Sequence, residues 1–456
     1  MSDCCRDFTR SQILRAGAAR AGDGLPPIEP GMPTPAGTGL SRRSFMLRSA
    51  GFAMSVYGAN KLGLPAFEEG IARGASWGDG RVLVSIFMPG GLDAMSVLAP
   101  VGDSNYATFR PTLGLDPSTT NPFSEDTSLH WHPNTGGLQT LHAEGKVTVF
   151  PAIGYDHPDQ SHFTSRHYWE VGALDTGASY GWMGRYLDQA GDPDNPLQGL
   201  ALDSNLSPTL AAAKVPVAAV DNPSDYSFWA GGVGDPVNEP MLNAIGQLGD
   251  VPTTDGGMAQ ARAVSTRIAR LRDQIAPLGK DGKPTWTAPV TYPSGNFGKR
   301  LNALAEMIQR GLPLRCVALN APGSYDTHSN QAGSLQKAMT DVSSTLLAFQ
   351  RDLEARGIAD RVLVKLWSEF GRRPRENGSG TDHGAAGLAL LIGSRASGQM
   401  VGQFPGLATL DAQQNLRSTS DFRALYCGLL EQWLGFDAAA VIPNASSFTR
   451  PTLVKS

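Results

Sequence analysis

The amino-acid sequence predicts an α/β fold with a mostly parallel sheet that is covered on both faces. Two observations support this class: short apolar runs typical of buried strands alternate with segments of helical periodicity, and polar residues stand directly after the apolar runs. The predicted strands cover residues 81–88, 147–152, 314–319, 361–367 and 388–392. The helical patterns cover residues 137–143, 162–171, 259–275, 298–310, 335–356 and 421–434.

The local signals agree with these elements in chain order. The first apolar run ends at Pro89, Gly90 and Gly91, residue types that begin a loop. The second run is followed by a polar loop and by Ser161, a residue type that starts helices. The third and fifth runs are each bordered by carboxylate and imidazole side chains, and the fourth is followed by the carboxylate of Glu369. In a parallel sheet, such loops leave the carboxyl ends of the strands, where functional residues gather.

The composition excludes several classes of protein. The chain has 456 residues, and 38 Lys and Arg against 42 Asp and Glu give a net charge of −4. No basic field therefore indicates a nucleic-acid partner. A hydrophobic content of 41% excludes bulk disorder, and no apolar stretch is long enough for a stable transmembrane segment. Cys316 and Cys427 are expected to be buried free thiols.

The N-terminal segment predicts export by the twin-arginine pathway. Arg42 and Arg43 are followed by Phe45 and then by a weakly hydrophobic stretch. We expect residues 1–75 to be an N-terminal extension with a signal peptide that engages the export machinery. Residues 76–456 then form a single domain in the periplasm, the cell envelope or the extracellular space. Within it, residues 191–291 have weak periodicity and many loop-forming residues, which predicts an insertion or cap over the site.

Polar and charged residues stand next to all five predicted strands. They are Asp93 after the first, Ser161 and His162 after the second, Asp326 and His328 after the third, Glu369 and Arg372 after the fourth, and His383 before the fifth. The carboxylates and imidazoles among them are ligand types of divalent metals. We therefore predict a site for zinc, manganese or a similar divalent ion.

Each of these residues also has a structural interpretation. Asp93 and Ser161 are good helix N-caps, and Glu369 can be a solvated loop charge. Asp326 with His328 is more specific, because alternate residues of an extended loop place two ligand types on one side. A Gly-x-Ser-x-Gly match at 177–181 has no preceding strand, so it does not indicate a nucleophile elbow.

The sequence resembles a known family, the twin-arginine-exported bacterial proteins called domain of unknown function 1501. The resemblance runs from residue 40 to residue 434. The motifs that carry it are Ser-Arg-Arg-Ser-Phe at 41–45, Phe-Met-Pro-Gly-Gly-Leu-Asp at 87–93, Ser-His-Phe at 161–163, Gly-Trp-Met-Gly-Arg at 181–185, Tyr-Asp-Thr-His at 325–328, Ser-Glu-Phe-Gly-Arg at 368–372 and Thr-Asp-His-Gly at 381–384.

The resemblance implies a relationship to the alkaline phosphatase and sulfatase superfamily, with a parallel-rich sheet that carries one or two divalent metals. In that relationship Ser161 resembles the nucleophile. Asp93 resembles the superfamily's first metal-binding Asp. Asp326, His328 and His383 resemble the three ligands of the first ion, and Glu369 stands where an Asp usually binds the second. The ions implied are zinc, manganese or calcium. The sequence departs from the superfamily at Phe370, where His is usual. His162 is then the substitute ligand, or one metal suffices.

The resulting hypothesis is an exported metal-dependent hydrolase of phosphate or sulfate esters. Its substrate is a small anionic ester or a sulfated or phosphorylated polymer, and Arg372 or Arg166 neutralises charge on the transferred group. The alternative is a catalytically inactive, metal-stabilised binding or assembly protein of the cell envelope, which the Phe370 departure favours. A third hypothesis is a serine hydrolase of carboxylic esters that uses Ser161 and His162.

Overall fold

The computed structural model describes residues 80–224, 235–280 and 282–455. The predicted signal segment, residues 1–75, lies outside these ranges. Among the described residues, no helix combines the length and the apolar character needed to cross a membrane. Cys316 and Cys427 are buried free thiols, as predicted.

An eight-stranded sheet forms the centre of the fold. Its strands in chain order are β1 (Val82–Phe87), β2 (Val147–Gly154), β3 (Gly199–Ala201), β4 (Ala218–Ala219), β5 (Cys316–Asn320), β6 (Val362–Trp367), β7 (Gly387–Ile392) and β8 (Ser420–Asp421). Their spatial order is β8-β2-β7-β6-β1-β5-β3-β4. The five predicted strands are β1, β2, β5, β6 and β7. They occupy neighbouring positions in the middle of the sheet, which confirms the predicted α/β class.

The sheet is parallel except at one strand. β7 pairs antiparallel with both β2 and β6, whereas the other pairs are parallel. Every residue of β1, β6 and β7 is buried, which shows that both faces of the sheet are covered. Because β7 runs in the opposite direction, its beginning lies at the same edge as the carboxyl ends of β1, β5 and β6. His383, which precedes β7, is thereby brought to that edge.

Nine helices surround the sheet within the described residues. They are α1 (Tyr106–Phe109), α2 (Gly136–Ala143), α3 (His162–Val171), α4 (Trp182–Ala190), α5 (Asp235–Gly249), α6 (Gly256–Ile275), α7 (Asn296–Gln309), α8 (Gln331–Ala355) and α9 (Phe422–Gly428). The last continues as a π-helical turn over Leu429–Trp433. A two-stranded hairpin, Arg372–Glu376 with Thr381–His383, follows β6 at the carboxyl edge.

The stretch predicted to be an insertion is partly built into the sheet. Within residues 191–291, Gly199–Ala201 pairs with β5 and Ala218–Ala219 pairs with β3, so both strands extend one side of the sheet. These strands have only three and two residues, which is too short for a periodic signal in the sequence. The remainder of the stretch includes α5 and α6. Its role as a cap over the site stays a prediction.

Candidate metal centre

The N-terminus of α3 brings two of the predicted residues to the carboxyl edge of the sheet. Ser161 is the N-cap, and its hydroxyl oxygen accepts hydrogen bonds from the backbone N–H groups of Phe163 and Thr164. His162 is the first helical residue. The helix packs on the core through the buried Trp169. The Trp169 ring stacks between Trp367 and Phe422 at centroid distances of 5.3 and 4.6 Å. Burial of such rings makes α3 a rigid support for its first turn.

Three imidazoles converge on the carboxylate of Asp326. The Nε2 atoms of His328 and His383 lie 3.0 and 3.3 Å from Oδ1 of Asp326. Nε2 of His162 lies 3.5 Å from the other oxygen, Oδ2. The ligand atoms of His162, Asp326 and His383 all lie within 4.8 Å of one another. Four residues predicted as metal ligands therefore come together, although they originate from three separate segments of the chain.

The opposite ring nitrogens of two of these histidines are fixed by acceptors. Nδ1 of His383 lies 2.9 Å from the backbone carbonyl oxygen of Gln160, so this nitrogen carries the proton and donates it. Nδ1 of His162 lies 2.8 Å from Oε1 of Glu369. This arrangement holds the rings in the orientation typical of metal-bound histidines. It also argues against the serine-hydrolase hypothesis, because both nitrogens of His162 face carboxylates and not the Ser161 hydroxyl.

The electrostatics of the cluster favour a positive charge at its centre. Burial lowers the pKa of His162, but hydrogen bonds and charge interactions with Asp326 and Glu369 outweigh burial and raise this pKa to about 9. Burial opposes ionisation of Asp326, yet hydrogen bonds from His162, His383 and Arg372 hold the pKa of its carboxyl well below its usual range. Burial together with the neighbouring Arg372 and His383 lowers the pKa of His328, despite the charge of Asp326.

The donor set fits a divalent transition metal. Two imidazole nitrogens and one carboxylate oxygen, with the histidines oriented from behind, match the ligand types of catalytic zinc and related ions. Glu369 is buried and acts behind His162, since its Oε1 also accepts from Gly90 N at 2.9 Å and its Oε2 from the Ser368 hydroxyl at 2.9 Å. The predicted direct ligation by Glu369 is therefore replaced by a role in orienting His162.

Asp93 does not join this cluster. Its buried carboxylate forms two hydrogen bonds with Arg110, at 2.6 and 3.0 Å, and accepts others from Ser96 and Gln331. It also caps the short 3₁₀ turn Ala94–Ser96. Burial raises the pKa of Asp93, but Arg110 and these hydrogen bonds lower it further than burial raises it. The structure therefore supports the interpretation of Asp93 as a helix N-cap and not as a metal ligand.

Arg372 is also structural, contrary to the predicted role in neutralising the transferred group. Its side chain is fully buried and donates to the carbonyl oxygens of Gly91 at 2.9 Å and Thr381 at 2.8 Å. A further bond of 2.6 Å reaches Oδ1 of Asp326. The guanidinium thus links the loop after β1, the loop after β5 and the hairpin, and it does not face solvent. The hairpin that begins at Arg372 is held to the β1 loop by these bonds.

Arg166 differs from Arg372 in being partly exposed and in forming fewer hydrogen bonds. It lies four residues after His162 and therefore on the same face of α3. Its Nε donates to Glu170 at 2.8 Å, and its guanidinium lies 4.3 Å from the ring centroid of Phe87. No other hydrogen bond of Arg166 occurs within the described ranges. Its terminal amino groups are thus available to an oxyanion.

Three contributors to the site were missed from the sequence. Gln160 acts through its backbone carbonyl, for which no residue-type signal exists. Arg110 and Gln331 hold Asp93, but each stands in a segment without a recognisable motif. An apolar strand followed by Asp is a pattern that predicts a functional carboxylate. Only the three-dimensional structure shows that the carboxylate of Asp93 is already paired with a buried arginine.

The chain is thus an α/β protein with a His/Asp/His cluster at the carboxyl edge of its sheet. Residues 258–438 match the family described as "Protein of unknown function (DUF1501)", which confirms the predicted resemblance over that segment. No curated protein matches the chain.

Several solved structures are similar to this chain at low sequence identity. They include Ps i-CgsB, at 13% identity and a TM-score of 0.37, with 81% of this chain and 75% of that chain covered. The PsFucS1 sulfatase from Pseudoalteromonas sp. has 10% identity, a TM-score of 0.33 and coverages of 87% and 78%. A protein in the alkaline phosphatase superfamily from Vibrio parahaemolyticus has 11% identity, a TM-score of 0.34 and coverages of 97% and 79%.

Proposed function

We propose that this protein is an exported metal-dependent hydrolase of phosphate or sulfate esters. The observation that carries the proposal is the convergence of His162, His383 and Asp326, with both Nδ1 atoms held by acceptors. These three residues would hold the ion. His328 lies beside them, with its Nε2 at 3.0 Å from Nε2 of His383. A divalent ion bound there supplies polarisation of the ester oxygen and a lowered pKa for a coordinated hydroxyl or water.

Ser161 is the proposed nucleophile. It stands between Gln160, whose carbonyl orients His383, and His162, so its position is set by the same first turn of α3 that builds the cluster. Backbone N–H groups at a helix N-terminus stabilise negative charge, both on the serine oxygen and on a bound anion. The serine oxygen would bond to phosphorus or sulfur while the bond to the ester oxygen breaks, and the alcohol would leave with the proton that the serine hydroxyl gives up. A water molecule would then cleave the serine ester and release phosphate or sulfate with Ser161 restored.

Arg166 is the proposed partner of the transferred group. Glu170 and Phe87 hold its guanidinium on the His162 face of α3, and its terminal amino groups have no other hydrogen bond in the described part of the chain. Guanidinium groups match tetrahedral oxyanions with two parallel hydrogen bonds. Between the two arginines suggested by the sequence, the geometry favours Arg166 over Arg372.

Two substitutions of Ser161 test the nucleophile without confusing it with helix capping. Ser161→Asn keeps an N-cap acceptor but has no hydroxyl, whereas Ser161→Ala removes both and is expected to cost about 1 kcal/mol of stability. We expect both variants to lose turnover of aryl phosphate and sulfate esters, with the Asn variant as stable as the parent. Ester hydrolysis that survives in Ser161→Asn would overturn the assignment.

Metal content tests the centre itself. We expect purified protein to contain bound divalent metal by mass spectrometry and the Asp326→Ala/His383→Ala double variant to contain none. Asp116→Asn is the matched control, since Asp116 is exposed and its carboxylate accepts hydrogen bonds from the N–H group and the hydroxyl of Ser118, both at 2.8 Å, and not from the cluster. A folded parent protein without metal would exclude the proposed hydrolase.

A second candidate is a metal-stabilised binding or assembly protein of the cell envelope without catalysis. The pairing of Asp93 with Arg110 favours it, because a carboxylate expected to bind metal is already neutralised. A panel of phosphate and sulfate esters separates the candidates. No turnover by fully metal-loaded protein would favour binding.

Export rests on the sequence alone, because Arg42 and Arg43 lie outside the described residues. We expect replacement of both arginines by lysine to leave the protein in the cytoplasm, as measured by cell fractionation. Undiminished export of that variant would contradict twin-arginine transport.

A further inference from the structure

Phe163 is the most exposed aromatic residue in the described part of the chain, with 48% of its surface accessible. It stands in the first turn of α3, directly after Ser161 and His162. Its backbone N–H donates to the Ser161 hydroxyl oxygen at 3.3 Å, so the capped end of the helix fixes its backbone. Its ring contacts no other aromatic ring among the described residues. The aromatic contacts of the fold therefore leave this ring unused.

The geometry of α3 places Arg166 between His162 and Phe163. Successive residues of an α-helix are rotated by about 100°, so Arg166 lies about 40° from His162 and about 60° from Phe163 around the helix axis. Long helical side chains point back toward the N-terminus, which directs the Arg166 guanidinium toward the first turn. A proposed metal ligand, a cation and an exposed apolar ring therefore follow one another across this face of the helix.

A second exposed apolar side chain lies on the loop that follows β3. This loop, residues 202–210, leaves the sheet at the carboxyl edge, where Asn320 donates to Asp203 at 2.9 Å. It then packs on α3 through the 3₁₀ turn Pro208–Leu210. Leu206, just before this turn, is 37% exposed. A segment in contact with α3 thus adds apolar surface at the same edge.

We infer that Phe163 selects esters whose alcohol portion presents a flat apolar face, such as a phenyl ring. The inference rests on the proposed function, because it needs the anionic group of the ester to be held between the ion and Arg166. It adds the part of the substrate that the ion does not contact. An ester held by Arg166 directs its alcohol portion across the neighbouring Phe163 ring.

The energetics of ring burial favour such an alcohol. Covering an exposed ring removes apolar surface from water, and the gain grows with the area covered. A phenyl group covers far more of the Phe163 ring than a methyl group does, and contact between two rings adds a further gain. The Trp169 ring stacks in the core and makes α3 a rigid support, so little conformational freedom is lost on binding.

Two pairs of stable anions test the inference without turnover. Phenylphosphonate and methylphosphonate share one head group, and benzenesulfonate and methanesulfonate share another, so only the ring differs within each pair. We expect zinc-loaded protein to bind the phenyl members about tenfold more tightly than the methyl members, measured by calorimetry. In Phe163→Ala the preference should fall below about twofold, with the affinity for the methyl members unchanged. Phe163→Tyr keeps the ring and should keep the preference.

Leu174→Ala is the matched control, since Leu174 is also exposed, at 39%, but follows the other end of α3. This variant should keep the phenyl preference of the parent protein. Equal binding within both pairs by the parent, or a preference that survives in Phe163→Ala, would overturn the inference and leave the metal-dependent function intact. Equal losses in Phe163→Ala and Leu174→Ala would overturn it as well. Zinc-loaded protein that binds none of the four anions would overturn the proposed function and the inference together.

Discussion

Glu369 contributes to the candidate metal centre by orienting His162, and it does not belong to the group formed by His162, Asp326 and His383. Its carboxylate fixes Nδ1 of His162 at 2.8 Å and is itself fixed by Gly90 and Ser368. Because second-sphere carboxylates orient histidines and increase their basicity, their loss typically weakens metal binding about 10–100-fold. We expect a loss of this size in Glu369→Gln, measured by competition with a zinc chelator.

Glu376→Gln is the matched control for that measurement. Glu376 accepts from the backbone N–H groups of Thr112 and Leu113, at 2.9 and 2.8 Å, and does not contact His162. Zinc affinity should be unchanged in this variant. Equal losses in both variants would show that a general disturbance of the fold, and not the orientation of His162, causes the effect.

The Asp93–Arg110 pair is a contribution to stability at the residue scale. Breaking one partner of a buried ion pair typically costs about 3–5 kcal/mol, so Asp93→Asn should lower the free energy of unfolding by that order. The pKa of Asp93 is lower in the folded protein than its value of about 3.9 in an unfolded chain. Its contribution is therefore present above about pH 4 and is lost as the pH falls further.

Urea unfolding at neutral pH and below pH 4 measures both effects. The difference between parent and Asp93→Asn should be large at neutral pH and shrink on acidification. A difference that stays constant with pH would show that the ionised form of Asp93 is not what stabilises the fold.

At the scale of elements, the loop after β1 and the loop after β5 are in direct contact. Gly90 has φ = 119°, and a Cβ there would lie 2.2 Å from the backbone nitrogen of Asp326. Gly90→Ala should therefore separate the two loops, displace Asp326 and abolish metal binding. Gly295→Ala is the control: its φ of 126° is similarly unfavourable for alanine, but no atom lies within 4 Å of the added Cβ.

Comparison of the two glycine variants separates crowding from backbone strain. Both are expected to lose stability in thermal unfolding, while only Gly90→Ala should lose bound metal in the purified protein. Metal retained in Gly90→Ala would contradict the close contact between the two loops.

For the whole molecule, metal binding should stabilise the fold. The ligands come from the start of α3, the loop after β5 and the hairpin before β7, so unfolding disperses them. An ion that binds only the folded chain adds about 2.7 kcal/mol at a free concentration of 100 times its dissociation constant. Chelation should lower the melting temperature of the parent protein and leave that of Asp326→Asn unchanged. Equal shifts in both would place the stabilising ion elsewhere.

The sequence was sufficient to predict the layout of the molecule but not the internal bonds of the site. Buried strands and the residues after them follow local rules, so β1, β2, β5, β6 and β7 and the cluster around Asp326 were predicted. The N-cap role of Asp93 was one of its two interpretations, but its pairing with Arg110 was not predicted, and neither were the bonds of Arg372 to loop carbonyls. Both depend on contacts between distant segments. The short strands β3 and β4 at one side of the sheet were not predicted, because three and two residues are too few for a periodic pattern in the sequence.

The antiparallel strand β7 also has a consequence for how the protein is made. Gln160 and His383, which together fix one imidazole of the centre, are 223 residues apart. β7 takes its place between β2 and β6, so two strands synthesised earlier remain unjoined until it arrives. Contacts between such distant segments form late in folding. Until residues 383–392 have left the ribosome, the growing chain lacks His383 and therefore the complete group of His162, Asp326 and His383. An ion that needs all three ligands could bind only after this part of the chain has been synthesised and has folded.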